Sequence, residues 1–280
     1  MKKLYTLVFT LLVAGSAFTT QAQGLKLPQA SSAQTITQEF GLGKITLSYS
    51  RPNVKGRKVF GTMEPYGAVW RTGANSATAI TFTDEVTIEG NKIPAGEYGL
   101  FTIPGANEWT IILNKTAKQW GAYDYKQVDD VLRFKVKPAK TAALTETFAM
   151  QFANVTASSL DLVLAWENTS VSFNIKTDVD SRVMAGIDEA MKGEKKPYFA
   201  AAQYYYDNNK DINKALEWIT EADKNSKPAF YLKYWKARIQ LKKGDKAAAI
   251  ASAKEGLALA KEAKNDEYVR LNEGVIAQAK

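Results

Sequence analysis

Neither histidine nor cysteine occurs anywhere in the 280 residues. Without histidine there is no Ser-His-Asp triad, no Cys-His dyad and no imidazole-ligated metal site, zinc above all. Acid–base chemistry would fall to Asp, Glu, Lys, Tyr or arginine-assisted water. Without cysteine there is no disulfide framework and no lipidated N-terminal thiol, so the fold must rest on burial. No phosphate loop and no dinucleotide fingerprint occurs. The expectation is a chain with no cofactor and no metal.

Long apolar runs are also scarce. Residues 4–18 are apolar or small and carry no charge, and such a run is short of the roughly 20 residues a membrane span needs. Met1-Lys2-Lys3 precedes it, and residues 19–23 are small and polar. That order is a secretory signal, cleaved near Ala22 or Gln23. The expected division is a signal peptide over 1–23, a β-domain over 24–177 and a helical tail over 178–280. The mature chain would be exported, periplasmic or secreted, with no membrane span. Its net charge falls from +8 to +6 once Lys2 and Lys3 are removed. This suits anionic partners. The absence of a basic helix or a stacking motif argues against nucleic acid.

From about Gln34 to Thr177 the apolar residues alternate. Residues 35–40 and 44–49 read as strands paired across Gly41-Leu42-Gly43. Segments 80–82, 86–88, 98–103, 109–113, 131–136, 145–152, 160–166 and 171–175 follow, with a turn at Glu89-Gly90-Asn91-Lys92. Many short strands without long helices between them predict an antiparallel sandwich or barrel. From about Val179 the rhythm becomes helical and Ala, Lys, Glu and Leu dominate. Pro197 and Pro228 suit helix starts. Asp211 and Asp245 are 34 residues apart, as are Ala215 and Ala249, and Ala222 and Gly256. This period resembles the tetratricopeptide repeat. The fold class is therefore α+β, with a β-sandwich or barrel-like domain followed by an α-helical hairpin tail.

Residues 50–75 stand out by charge. Arg51, Lys55, Arg57, Lys58 and Arg71 face a single acid, Glu64. Arg51-Pro52, Lys55-Gly56-Arg57, Phe60-Gly61, the run Trp70-Arg71-Thr72-Gly73-Ala74-Asn75, and later Pro94-Ala95-Gly96-Glu97-Tyr98 and Trp109 occur in that order. Together they resemble a family of exported bacterial proteins with a β-rich domain of unknown function, over roughly residues 30–175. The resemblance implies a signal peptide, a β-rich domain and an optional helical-repeat tail. It brings no activity, substrate or catalytic residue.

Arginine offers a rigid fork for carboxylate, phosphate or sulfate, and Trp70 and Tyr66 offer flat faces for a sugar or for a core. Arg51, Lys55, Arg57, Tyr66, Trp70, Arg71, Asn75 and Tyr98 are thus candidates for a pocket that takes an anionic glycan or an acidic peptide end. The other reading is structural, with Arg71 paired to Glu85 or Glu89 and the glycines only making turns. Asp129-Asp130 and Asp84-Glu85 are sequence neighbours on opposite strand faces, so they read as solvated rather than catalytic. Asp178-Val179-Asp180 lacks the ligands of a calcium loop and reads as a helix cap. Tyr204-Tyr205-Tyr206, Tyr231, Tyr234 and Trp235 read as repeat packing or as a peptide groove. The leading functional expectation is a non-catalytic envelope module that binds a ligand or a protein, the latter through its tail. The alternative is a metal-free, polysaccharide lyase-like enzyme, with Tyr66 or Tyr98 as acid/base and Arg71 and Asn75 neutralising a uronate.

Overall fold

A computed structural model describes residues 27–280, so the expected signal peptide lies outside the described residues. The chain divides into two compact units between Thr177 and Asp178. Among the described residues no helix is long and apolar enough to cross a membrane.

The first unit contains β1 (Ser32–Phe40), β2 (Gly43–Arg51), β3 (Thr78–Phe82), β4 (Val86–Ile88), β5 (Asn91–Ile93), β6 (Gly96–Ile103), β7 (Trp109–Asn114), β8 (Asp130–Val136), β9 (Ala139–Ala153) and β10 (Ser159–Lys176). They form a six-stranded sheet in the order β1-β2-β3-β6-β7-β8 and a four-stranded sheet in the order β5-β4-β10-β9. Every strand pairing is antiparallel. Leu47, Ile80, Leu100 and Ile111 of one sheet share a single core with Ile88, Phe148, Leu162 and Ile175 of the other. Two sheets facing one core make a sandwich rather than a closed barrel.

The β4–β5 hairpin turns on Glu89 and Gly90, both in the left-handed region at φ 49° and 77°. That is the two-residue geometry a tight hairpin requires. The two apolar segments 160–166 and 171–175 belong to one 18-residue strand, β10. Leu160, Leu162, Leu164 and Trp166 face the core on even numbers; Val171, Phe173 and Ile175 face it on odd ones. The phase changes where register with β9 slips around Glu167, which sits at φ 55°. A bulge adds one residue and so inverts the alternation without ending the strand.

The second unit contains α1 (Val179–Ala190), α2 (Tyr198–Asp207), α3 (Ile212–Lys224), α4 (Phe230–Lys243), α5 (Lys246–Glu262) and α6 (Asp266–Ala279). Asp178 caps α1 through Ser181 N, as its position implied. The 34-residue spacing has a structural meaning. Asp211 caps α3, accepting from Asn213 N and Lys214 N, and Asp245 caps α5, accepting from Ala248 N. Ala215 and Ala249 are fully buried one turn later. A Cβ at Gly256 would meet Asn272 Oδ1 at 2.5 Å, so α5 passes close to α6 there and a larger residue would have to displace the Asn272 side chain. Helix α4 contacts both α2 and α6.

Candidate functional site

The cationic stretch begins by crossing between the sheets. Phe148 N donates to Pro52 O and Val54 N to Glu146 O, both at 2.8 Å, so residues 52–54 pair with β9. Arg51 Nε donates to Phe148 O at 2.9 Å. Arg57 donates to Val54 O at 3.0 Å and to Asn53 O at 2.6 Å. Lys55 occupies the turn at φ 49°, where its own backbone N–H reaches Glu146 Oε1 at 2.8 Å. Both arginines thus donate to backbone carbonyl oxygens of the crossing segment or of the strand it meets, and Val54 O accepts from the Arg57 backbone N–H as well.

Trp70 belongs to the core. It is 3% exposed, stacks on Trp166 at 5.7 Å and meets Phe148 edge-on at 5.2 Å. Its indole N–H donates to Gly73 O at 3.0 Å. Neither face is free to stack on a sugar. Tyr98 is buried against Phe82, and its hydroxyl donates to Pro94 O at 2.9 Å. Burial raises its pKa, which disfavours the phenolate a base would need. Asn75 Nδ2 donates to Ser31 O at 3.2 Å. Tyr66 is exposed, in a separate cleft of about 350 Å³ that it lines with Lys137 and Lys140.

Arg71 pairs with neither expected acid. Glu85 lies 3.0 Å from Lys92, and Glu89 sits in the β4–β5 turn. The charge beside Arg71 is Glu64. Burial pushes the Glu64 carboxyl up to about 7, against the opposing pull of the Arg71 guanidinium. Arg71 Nε is itself buried and makes no hydrogen bond. Five of the eight candidates, Arg51, Arg57, Trp70, Asn75 and Tyr98, donate to separate backbone carbonyls, and Tyr66 lines a cleft that none of the other seven lines, so the lyase-like constellation is not brought together there. Asp130 also departs from its solvated reading. Its side chain is 7% exposed, lies 2.8 Å from Arg133 Nε, and accepts from Asn114 Nδ2 and Tyr125 OH. Among the described residues no group of three metal-ligating side chains occurs.

A second group of cations lies in the helical unit. Tyr205 is buried against Trp218 at 4.7 Å and is packing. Tyr206 and Tyr234 instead line a groove of about 600 Å³ with Arg238, Lys242 and Arg270. The Arg238 guanidinium lies 4.6 Å from the Tyr206 ring and 4.5 Å from Trp235. Lys242 Nζ lies 4.4 Å from the Tyr206 ring and donates to Tyr206 O and Asn209 Oδ1. Aromatic faces and neutral oxygens hold these cations in place without cancelling their charge. Among the described residues no carboxylate lines the groove. Tyr234, Arg238 and Lys242 recur every four residues on α4, so they share a face. That spacing was the signal available in the sequence for a cationic groove.

A profile for a protein of unknown function, DUF2911, matches residues 31–175. The chain belongs to the DUF2911 family. The DUF2911 domain is thus the two-sheet unit, and the helical unit lies beyond it. No curated protein and no solved structure matches the chain.

Proposed function

We propose that this DUF2911 protein is an exported, non-catalytic binding protein of the cell envelope, and that its tetratricopeptide-like tail docks an acidic peptide segment of a partner protein. The observation that carries the reading is the groove lined by α2, α4 and α6. There Arg238, Lys242 and Arg270 face one cavity with no carboxylate among its lining residues. Arginine forks match peptide carboxylates in two-point contacts, and stacking on Tyr206 and Trp235 limits the freedom Arg238 loses on binding. Stacked helical hairpins present such surfaces to extended chains. Export is supported by Lys2 and Lys3 before the charge-free run of residues 4–18. A non-catalytic role fits the employment of Arg51, Arg57, Trp70 and Tyr98 in the scaffold.

Fluorescence anisotropy with a labelled Asp/Glu-rich peptide, and with the same peptide carrying Asn/Gln instead, tests this directly. The acidic peptide should bind and the amide version should not. Raising salt from about 0.05 to about 0.5 M should weaken binding, because screening shortens the reach of exposed charges. A folded Arg238→Glu/Arg270→Glu variant should lose about ten-fold or more in affinity. Equal binding of the two peptides, or full affinity in the variant, would overturn the proposal.

A further inference from the structure

The run Trp70–Asn75 also shapes the surface of the β-unit. Asn75 takes the left-handed conformation, φ 59°, and its carbonyl accepts from Gly121 N at 3.0 Å. Ala77 N donates to Gln119 O at 2.9 Å, and Ser76 bridges Trp120. On the other flank, Ala74 N donates to Ser50 O. A Cβ at Gly73 would lie 2.9 Å from that same oxygen, so the approach to β2 needs glycine. Residues 119–121 of the β7–β8 loop are thus strapped at a fixed height over the sheet. Trp120, so held, remains 63% exposed. An exposed indole on a held backbone is an apolar surface available to a partner.

Trp120 lines an open groove of about 520 Å³ over the outer face of β1, β2 and β3. The floor is made of small side chains, Ala33, Ser48, Ser50 and Ala79, which stand opposite the core-facing Leu47 and Ile80. The Thr35 and Ser48 hydroxyls meet at 2.9 Å within it. Gln119, 8% exposed, donates from Nε2 to Thr116 O at 3.0 Å, while its buried Oε1 has no hydrogen-bond partner. The one charged lining residue, Lys118, lies 3.5 Å from Glu97.

We propose that this groove binds a neutral saccharide. A pyranose has an apolar C–H face suited to the Trp120 indole and a rim of hydroxyls that both donate and accept, as the Ser48, Ser50 and Thr35 hydroxyls lining the groove do. An apolar peptide would bury those hydroxyls unpaired, and an acidic ligand would find only a cation that already has a carboxylate beside it. The site is independent of the helical groove.

The test is calorimetric titration of the full chain with neutral gluco-, xylo- and N-acetylglucosamine oligosaccharides, and with uronate oligosaccharides as the acidic arm. At least one neutral series binds. Trp120→Ala weakens it by about ten-fold or more and, because the indole is exposed, leaves the melting temperature and circular dichroism unchanged. Lys118→Ala leaves the affinity intact. The proposal is overturned if no neutral series binds, if binding survives Trp120→Ala, or if only uronates bind and Lys118→Ala abolishes them.

Discussion

Replacing Glu64 with glutamine should make the β-unit more stable at neutral pH and leave it nearly unchanged at pH 4.5. Glu64 is half-buried, and desolvation holds its folded-state pKa at about 7 against an ordinary value of 4.5. A carboxyl whose pKa is raised by folding binds its proton more tightly in the native state. Its contribution is therefore fully present below pH 4.5 and is lost as pH rises through about 7. At roughly 1.4 kcal/mol per tenfold change in proton affinity, the gap amounts to about 3 kcal/mol. Solvent reaches part of the side chain, and screening reduces the expected loss to about 1–2 kcal/mol. A glutamine in this place cannot ionise, so the wild-type protein and Glu64→Gln should unfold at similar urea concentrations at pH 4.5. They should diverge by that amount at pH 8, with the variant ahead. The window is well isolated. Asp161 and Asp180 are lowered, by hydrogen bonds from Asn174 and Asn154 and from Lys210 and Tyr204 respectively, so their contributions are lost only as pH falls below 3.8. Introducing Arg71→Met into both proteins should widen their divergence, because it removes the only cation lowering the Glu64 pKa. A difference between wild type and Glu64→Gln that is constant across pH 4.5–8, or a variant that is weaker at pH 8, would refute the reasoning.

Two further outcomes follow from packing and capping. Trp70→Ala should cost about 3–5 kcal/mol in urea unfolding, since it empties the centre of the ring cluster formed with Phe60, Trp109, Phe148 and Trp166; a loss below about 1 kcal/mol would place the ring outside the core. Asp211→Ala and Asp245→Ala should each cost about 1 kcal/mol in thermal melts of the helical signal, and a large effect at one with none at the other would break the 34-residue equivalence.

Most of the fold was legible because the relevant physics is local. A side chain in a strand takes its face from neighbours two residues away, and one in a helix from neighbours three and four away. The alternation over residues 34–177 and the Asp211/Asp245 period therefore report strands and a helical repeat directly. The break between residues 166 and 171 made one strand read as two, because a bulge shifts the phase of alternation without any turn residue to announce it.

The candidate site was legible only in composition. The charge of residues 50–75 is real, but Arg51 finds its acceptor 97 residues away, on Phe148, and the acid beside Arg71 is Glu64 rather than Glu85 or Glu89. Nothing near Arg51 in sequence states which strand its carbonyl acceptor will come from, whereas Glu64 lies in the same stretch as Arg71 and was the nearer candidate.

What the sequence determined by itself was most of the strands and the helical character of the tail, the change of rhythm near residue 178, the turn at Glu89-Gly90, the cap at Asp178, and the exclusion of histidine and cysteine chemistry. Only the tertiary structure decided that Trp70 is core while Trp120 is surface, and that Arg238 and Lys242 meet Arg270 across a groove. Backbone periodicity is encoded by adjacent residues, whereas the environment of a charge or a ring depends on segments brought together from far along the chain.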